Sequence, residues 1–135
     1  MADLTLEVAT PTRLVVAESV DEVVVPGTEG YFGVLPGHAP LLATVGIGEL
    51  TYRKGREEFH LAVAGGFAEV RQDKVIVLAD SAERPAEIDR ERAERARQRA
   101  EQRLAGRSQE DVDYARAMCA LARALTRLQV AARPQ

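Results

Sequence analysis

The sequence predicts an α+β fold: an antiparallel β-sandwich of about ten short strands over residues 1–84, then a two-helix antiparallel hairpin over residues 85–135. Three observations predict it. Apolar residues alternate with period two up to Asp80, the period lengthens to that of a helix after it, and the charge changes sign near the same place. Residues 1–83 carry 6 basic and 13 acidic side chains, a balance of −7, whereas residues 84–135 carry 12 and 8, a balance of +4.

The strands come first. "LTLEVAT", "TRLVV", "DEVVVPG", "GELTYR", "FHLAVAGG", "FAEV" and "KVIVLAD" are short alternating runs between Gly, Pro and Asp breaks, which is the spacing of a sandwich or flattened barrel. "RKGREE" and "RQDK" read as hairpin turns. "PGTEGYFGVLPGHAPLL" mixes glycine and proline with large apolar residues, which suits a rigid surface feature. Leu35, Leu41 and Leu42 within it suit either core or a partner-facing surface.

Pro85 marks a helix start, and no further Gly or Pro occurs until Gly106, which suits a left-handed helix end. Ser108 and Asp111 have the spacing to begin the second helix. In that helix Tyr114, Met118, Leu121, Leu125 and Leu128 make one apolar stripe at 4,3,4,3 spacing. Arg116, Arg123 and Arg127 fall within roughly 40° of one another on nearly the opposite face. The first helix offers only Ala93, Ala96, Ala100 and Leu104 for burial, with Asp89 on the same side and Arg92, Arg99 and Arg103 as a neighbouring ridge. A buried methylene contributes about 0.8 kcal/mol and an i,i+4 pair such as Glu91–Arg95 about 0.2–0.5 kcal/mol. The first helix is therefore expected to be well formed but loosely docked, so that the hairpin can open and an anion decides whether it does.

Composition, 46% hydrophobic and 29% charged, is that of a globular protein. Apolar runs such as Val75–Ala79 are too short to cross a bilayer, and no basic start leads into a cleavable apolar stretch, so an intracellular, soluble chain is expected. The single cysteine, Cys119, has no second cysteine with which to form a disulfide or share a metal. There is no phosphate-binding G-x-x-x-x-G-K-[ST], no G-x-S-x-G and no H-E-x-x-H. His38 and His60 lack metal spacing, and Glu57 and Glu58 sit beside a turn as solvated charge. No metal, catalytic residue or catalytic cofactor is expected. The arginines of the tail are interleaved with acids and the chain is only 4% aromatic, which argues against nucleic acid as partner. They point instead to an acidic surface or a phosphorylated ligand.

Several segments together resemble the epsilon subunit of the rotary F-type ATP synthase: "VATPTRLV", "VVVPGTEGYFGVLPGHAPLLA" over 23–43, "VAGGFAEV", "KVIVLAD", "IDRERA" and "DVDYARA". The resemblance implies a non-catalytic central-stalk subunit, peripheral at the cytoplasmic face of a bacterial membrane, with its sandwich on the gamma subunit and the membrane rotor c-ring. Glu29, Tyr31, His38, Leu41 and Leu42 then take the rotor and gamma side. Tyr31 stands where relatives often carry an acid, which leaves the ring contact to Glu29 or to aromatic packing. The helical tail of such subunits folds down on the sandwich or extends into the catalytic head of alpha and beta subunits and blocks ATP hydrolysis. Laid out as one helix, residues 88–132 would span roughly 65 Å. Arg116, Arg123 and Arg127 would then meet an acidic segment of beta.

Some members bind ATP in the folded tail through I/L-D-x-x-R-A and two later arginines. Ile88, Asp89, Arg92 and Ala93 match that motif, Arg123 and Arg127 match the arginine pair, and Glu83 and Arg99 resemble supporting positions. ATP is then a regulatory ligand, with magnesium dependence open. Alternatives remain at this stage: Asp89 as no more than a helix start, the arginines as solvated or beta-facing charge, and, outside the family, a stand-alone nucleotide sensor or scaffold.

Overall fold

A computed structural model describes residues 3–105 and 112–134. Among them are eight strands, β1 (Leu4–Ala9), β2 (Leu14–Val20), β3 (Glu22–Gly27), β4 (Gly30–Val34), β5 (Leu41–Thr44), β6 (Ile47–Lys54), β7 (Glu57–Arg71) and β8 (Lys74–Glu83). A 3-10 turn (Pro85–Glu87) and two helices, α1 (Arg90–Leu104) and α2 (Val112–Ala131), follow.

Eight strands are described where about ten were expected, and "FHLAVAGG" and "FAEV", read as two runs, form one strand. β7 pairs with β6 over Glu57–Ala64 and with β5 over Phe67–Thr44 to Val70–Leu41, so its two ends serve two layers. Gly65 and Gly66 at the bend have φ of 70° and 116°, values that side-chain-bearing residues rarely adopt. A Cβ on Gly66 would also strike the backbone of Leu78 and Ala79. The strand path is β2-β1-β8-β7-β6-β3-β4, with β5 branching from β7. All pairs are antiparallel except β1–β8, the first and last strands, which run parallel and are not joined by a turn. The two expected hairpin turns form, at Gly55 (φ 64°) and at Gln72–Asp73 (φ 45° and 61°).

β2 and β6 meet face to face across the core without sharing a ladder. That core is built from the inward members of each alternating run: Leu4, Leu6 and Val8, Val16 and Val20, Val23 and Val25, Leu50 and Tyr52, Leu61 and Val63, and Val75 and Val77. On β6 and β7 the alternation fails, since Gly48, Glu49 and Leu50, and His60 through Val63, are all buried. One face of these strands looks into the sandwich and the other lies beneath α2.

α1 does not begin at Pro85. The proline opens the 3-10 turn, and α1 starts after Asp89, whose carboxylate accepts the backbone N–H of Arg92 as an N-cap. Gly106, Ser108 and Asp111 lie outside the described residues. α1 packs mainly on α2, and α2 in turn on β6 and β7. The most buried described residues on α1, and two of those on α2, are alanines: Ala93 and Ala100 on α1 and Ala117 and Ala124 on α2 are all at most 2% exposed. The expected apolar stripe of α2 is therefore not its buried face. Met118 and Leu125 are 43% and 47% exposed, and Tyr114, Leu121 and Leu128 are half-buried. On α1 the larger Leu104 is only half-buried, and small residues at a helix contact allow close approach.

Candidate functional site

The platform under α2 follows from strand register. Ile47, Glu49 and Thr51 of β6 sit opposite Ala64, Ala62 and His60 of β7, and Ala64 and Ala62 sit opposite Ser81 and Glu83 of β8, so one face of three strands is presented to the helix. Its apolar part is closed by Ala62, Ile88, Val130 and Ala131. Its polar part consists of two charged ties.

The first tie is at a cleft where α2 crosses β7 and β8. Glu83 receives two N–H bonds from Arg127, 2.7 Å from Nε and 3.1 Å from Nη2, the fork geometry that makes arginine–carboxylate pairs strong. The cleft walls are Ile47, Ala62 to Ala64, Ser81, Glu83, Arg123, Thr126 and Arg127, and the free volume is ≈ 30 Å³. That is room for about two waters. Phosphate chemistry fits the two arginines, of which Arg127 is held by Glu83.

The second tie lies near the end of α2. Glu49, 9% exposed, accepts from Arg133 Nε (2.9 Å), Arg133 Nη2 (2.8 Å) and the Gln129 amide (3.2 Å). His60 Nδ1 is 3.6 Å away and also contacts the Thr51 hydroxyl at 3.2 Å. Burial alone pushes the Glu49 carboxyl up; the Arg133 bonds and charge, His60 and Gln129 outweigh it and hold the group below its ordinary value.

The expected ATP-binding residues divide into three groups. Glu83, Arg123 and Arg127 meet at the cleft. Asp89 and Arg92 form the exposed first turn of α1, with Arg99 exposed further along the helix. Ile88 and Ala93 are buried, the first against the platform and the second in the alanine seam. Arg116, expected to face beta, is exposed and lines with Arg103 and Asp113 a separate hollow of ≈ 290 Å³ between the helices.

The expected rotor-side residues come together elsewhere. Glu29, Tyr31, Leu41 and Leu42 line a shallow groove of ≈ 540 Å³ at the β3–β4 turn and β5. Tyr31 and Leu42 are 61% and 71% exposed, and Leu35 is also exposed, so these leucines are surface and not core. The Tyr31 hydroxyl accepts the backbone N–H of Glu49 at 3.1 Å, and its ring crosses Gly48, where any Cβ would collide. His38 does not line the groove. It braces the neighbouring loop, with its amide on Leu35 O, while the Gly37 amide donates to Asp73 of the β7–β8 turn.

Sequence reasoning missed the clamp on the segment joining sandwich to helix. Arg13 holds Glu87 through both guanidinium nitrogens (2.5 and 3.0 Å) and also donates to Ala82 O. Arg84 reaches back to the Tyr52 hydroxyl and Val15 O, and its amide donates to Glu87. The Arg13 hydrogen bond holds the Glu87 carboxyl below its ordinary value. Glu49 was missed too, although it is in phase with Ile47 on β6, and an acid in phase with an apolar strand face is a signal.

No helix among the described residues is long and apolar enough to cross a membrane, and among them no cluster of His, Cys, Asp and Glu is arranged to hold a metal ion.

Comparisons with known proteins match the whole of this architecture. The family description "ATP synthase, Delta/Epsilon chain, beta-sandwich domain" matches residues 3–85, and "ATP synthase, Delta/Epsilon chain, long alpha-helix domain" matches residues 86–132. Chains named ATP synthase epsilon chain are similar in Nitratidesulfovibrio vulgaris (54% identity, covering 94% of each chain), Geobacter metallireducens (52%, 95% of this chain and 93% of that one) and Solibacter usitatus (55%, 95% of each). In structure, a chain of the Euglena gracilis mitochondrial ATP synthase, solved with OSCP, F1 and c-ring, shares the fold with a TM-score of 0.81 at 23% identity, covering 98% of this chain and 83% of that one. With sandwich and helices matched in order and relatives similar along nearly their full length, this chain belongs to the ATP synthase delta/epsilon chain family.

Proposed function

We propose that the chain is the epsilon subunit of a bacterial F-type ATP synthase, a non-catalytic part of the central stalk, at the membrane surface by virtue of its complex. What carries the reading is identity above 50% to epsilon chains across both the sandwich and the helices. Residues 1–84 act as the coupling domain and 85–135 as the regulatory one. The groove at Glu29, Tyr31, Leu41 and Leu42 suits a protein partner: exposed aromatic and aliphatic side chains on a braced loop need no ordering before contact. Gamma and the c-ring are the partners assigned to that side, with His38 holding the loop in shape.

The hairpin is the inhibitory element, docked here and extended toward the alpha and beta subunits when it blocks hydrolysis. ATP acts as a ligand of the docked form through Asp89, Arg92, Arg123 and Arg127, with Ile88 and Ala93 shaping the helix start and Glu83 and Arg99 flanking. At a hundredfold excess over Kd a ligand of one form stabilises it by about 2.7 kcal/mol. Support comes from the arginine fork at the cleft, which holds the Glu83 carboxylate in a geometry that also suits a phosphate.

The closed cleft favours a second reading as well. With Arg127 already paired and Arg92, Arg116 and Arg123 exposed, the same residues form a basic surface for the beta subunit without nucleotide. Calorimetric titration of the chain with ATP, with ADP and magnesium-free arms, separates the two. Asp89→Ala is a poor control, because Asp89 also caps α1; Asp89→Ser keeps a capping oxygen and withdraws the carboxylate. Selective heat lost in Asp89→Ser supports the ligand reading. No heat at millimolar ATP leaves the beta-facing surface, and failure to co-purify with a multisubunit ATPase overturns the subunit assignment itself.

A further inference from the structure

The ties that hold α2 down differ in what can reach them. Glu83–Arg127 lines the cleft, where an anion competes for the arginine. Glu49 is not part of that cleft. Its carboxylate is buried between β6 and the end of α2, and three donated bonds converge on it from Gln129 and Arg133. Arg133 lies two residues beyond the last residue of α2, so the bond acts on the end of the helix that carries the buried Val130 and Ala131. The same end is tied to the first helix, since Arg90 donates to Ala131 O at 2.5 Å. Lifting this end therefore loosens the start of α1 as well, and exposes Ile88, Val130 and Ala131 together.

We propose that Glu49, Gln129 and Arg133 form a latch, independent of nucleotide, that sets how often the hairpin leaves the sandwich. The idea takes from the preceding reading only that the hairpin undocks; whether ATP binds is immaterial to it. The chemistry is that of a buried anion with dedicated donors. Docked, Glu49 exchanges water for a guanidinium fork and an amide; without the fork it lies beneath the helix with only Gln129 and His60 nearby, a costly arrangement. Undocking then becomes the way to hydrate it.

Hydrogen exchange of the full chain without nucleotide tests this. Arg133→Ala should speed exchange of residues 121–131 by about tenfold, in line with loss of a charged hydrogen bond, while β1 and β8 keep their rates. Arg133→Lys, which keeps charge without the fork, should fall between. Glu49→Gln, which removes the buried charge itself, should speed exchange less than Arg133→Ala, and the double variant should be no faster than Arg133→Ala. Faster exchange throughout β1 and β8 in Glu49→Gln means global destabilisation, and Arg133→Ala, at the partly exposed end of the chain, then decides alone. Wild-type exchange of α2 in Arg133→Ala overturns the proposal. So does loss of ATP binding in Arg133→Ala where wild type binds, because the pair is then part of the nucleotide site. If ATP does not bind at all, the nucleotide-free result stands and only the ligand reading is lost.

Discussion

The sandwich and the hairpin are held together by different physics. In the sandwich, leucines and valines from every layer interlock and the main-chain ladder is continuous from β2 to β4. The hairpin closes on four alanines and reaches the sandwich through a small apolar patch and a few charged side chains. Burial stabilises in proportion to apolar area, so the first region resists local opening and the second depends on geometry and charge. One chain thus joins a body held by apolar burial to an attachment held largely by a few charged bonds.

The largest break in this contrast is expected from the body. Leu6→Ala removes a side chain with no exposure and should cost about 2–5 kcal/mol, with sandwich and hairpin lost in one denaturant transition because the hairpin has nothing else to dock on. Ala93→Leu should act on the attachment alone. Overfilling the seam costs about 1–3 kcal/mol, and exchange should rise in α1 and α2 while the sandwich midpoint stays put; a shared shift of the midpoint would show the two regions to be one cooperative unit. Asp89→Ala comes next, with loss of the N-cap at about 0.5–2 kcal/mol, fraying seen at the first turn of α1 and absent in Asp89→Ser.

Acid should give the smallest and most graded effect. Glu49 and Glu87 both titrate below the ordinary 4.5 in the folded chain, Glu49 because its partners outweigh burial and Glu87 chiefly through its Arg13 bond. A carboxyl lowered by folding contributes fully above its unfolded value and loses that contribution as pH falls through the folded one. Exchange of α2 should therefore be flat from pH 7 to about 5 once corrected for intrinsic rates, and rise below about 4.5 before the sandwich opens. Simultaneous opening of both would remove the distinction between body and attachment in acid.

Most of the body was legible because alternation is a local signal: each strand's inward residues announce themselves. Where it misled, the cause was non-local. β7 reads as two strands because Gly65–Gly66 looks like a turn, whereas the pair is a bend that keeps its ladder to β8. On α2, apolar size suggested the Met118–Leu125 side, but the buried positions are set by the neighbouring elements, and on α1 the fully buried residues are alanines. Glu83, Arg123 and Arg127 line one cleft, and their closeness depends on where α2 lies over the sheet, which no spacing encodes. Glu49 and Arg133 are 84 residues apart, and only the fold joins them.

The clamp on residues 84–87 has a mechanical consequence. Arg13 and Arg84 fix this stretch to β2 and β6, so any swing of the tail turns about a fulcrum confined to Ile88 and Asp89. α1 is 15 residues long, an arm of roughly 22 Å. If the tail swings as proposed, a modest change of angle at two residues becomes a displacement of many ångströms at the far end of α1, and the two arginines are where its reaction would reach the sandwich.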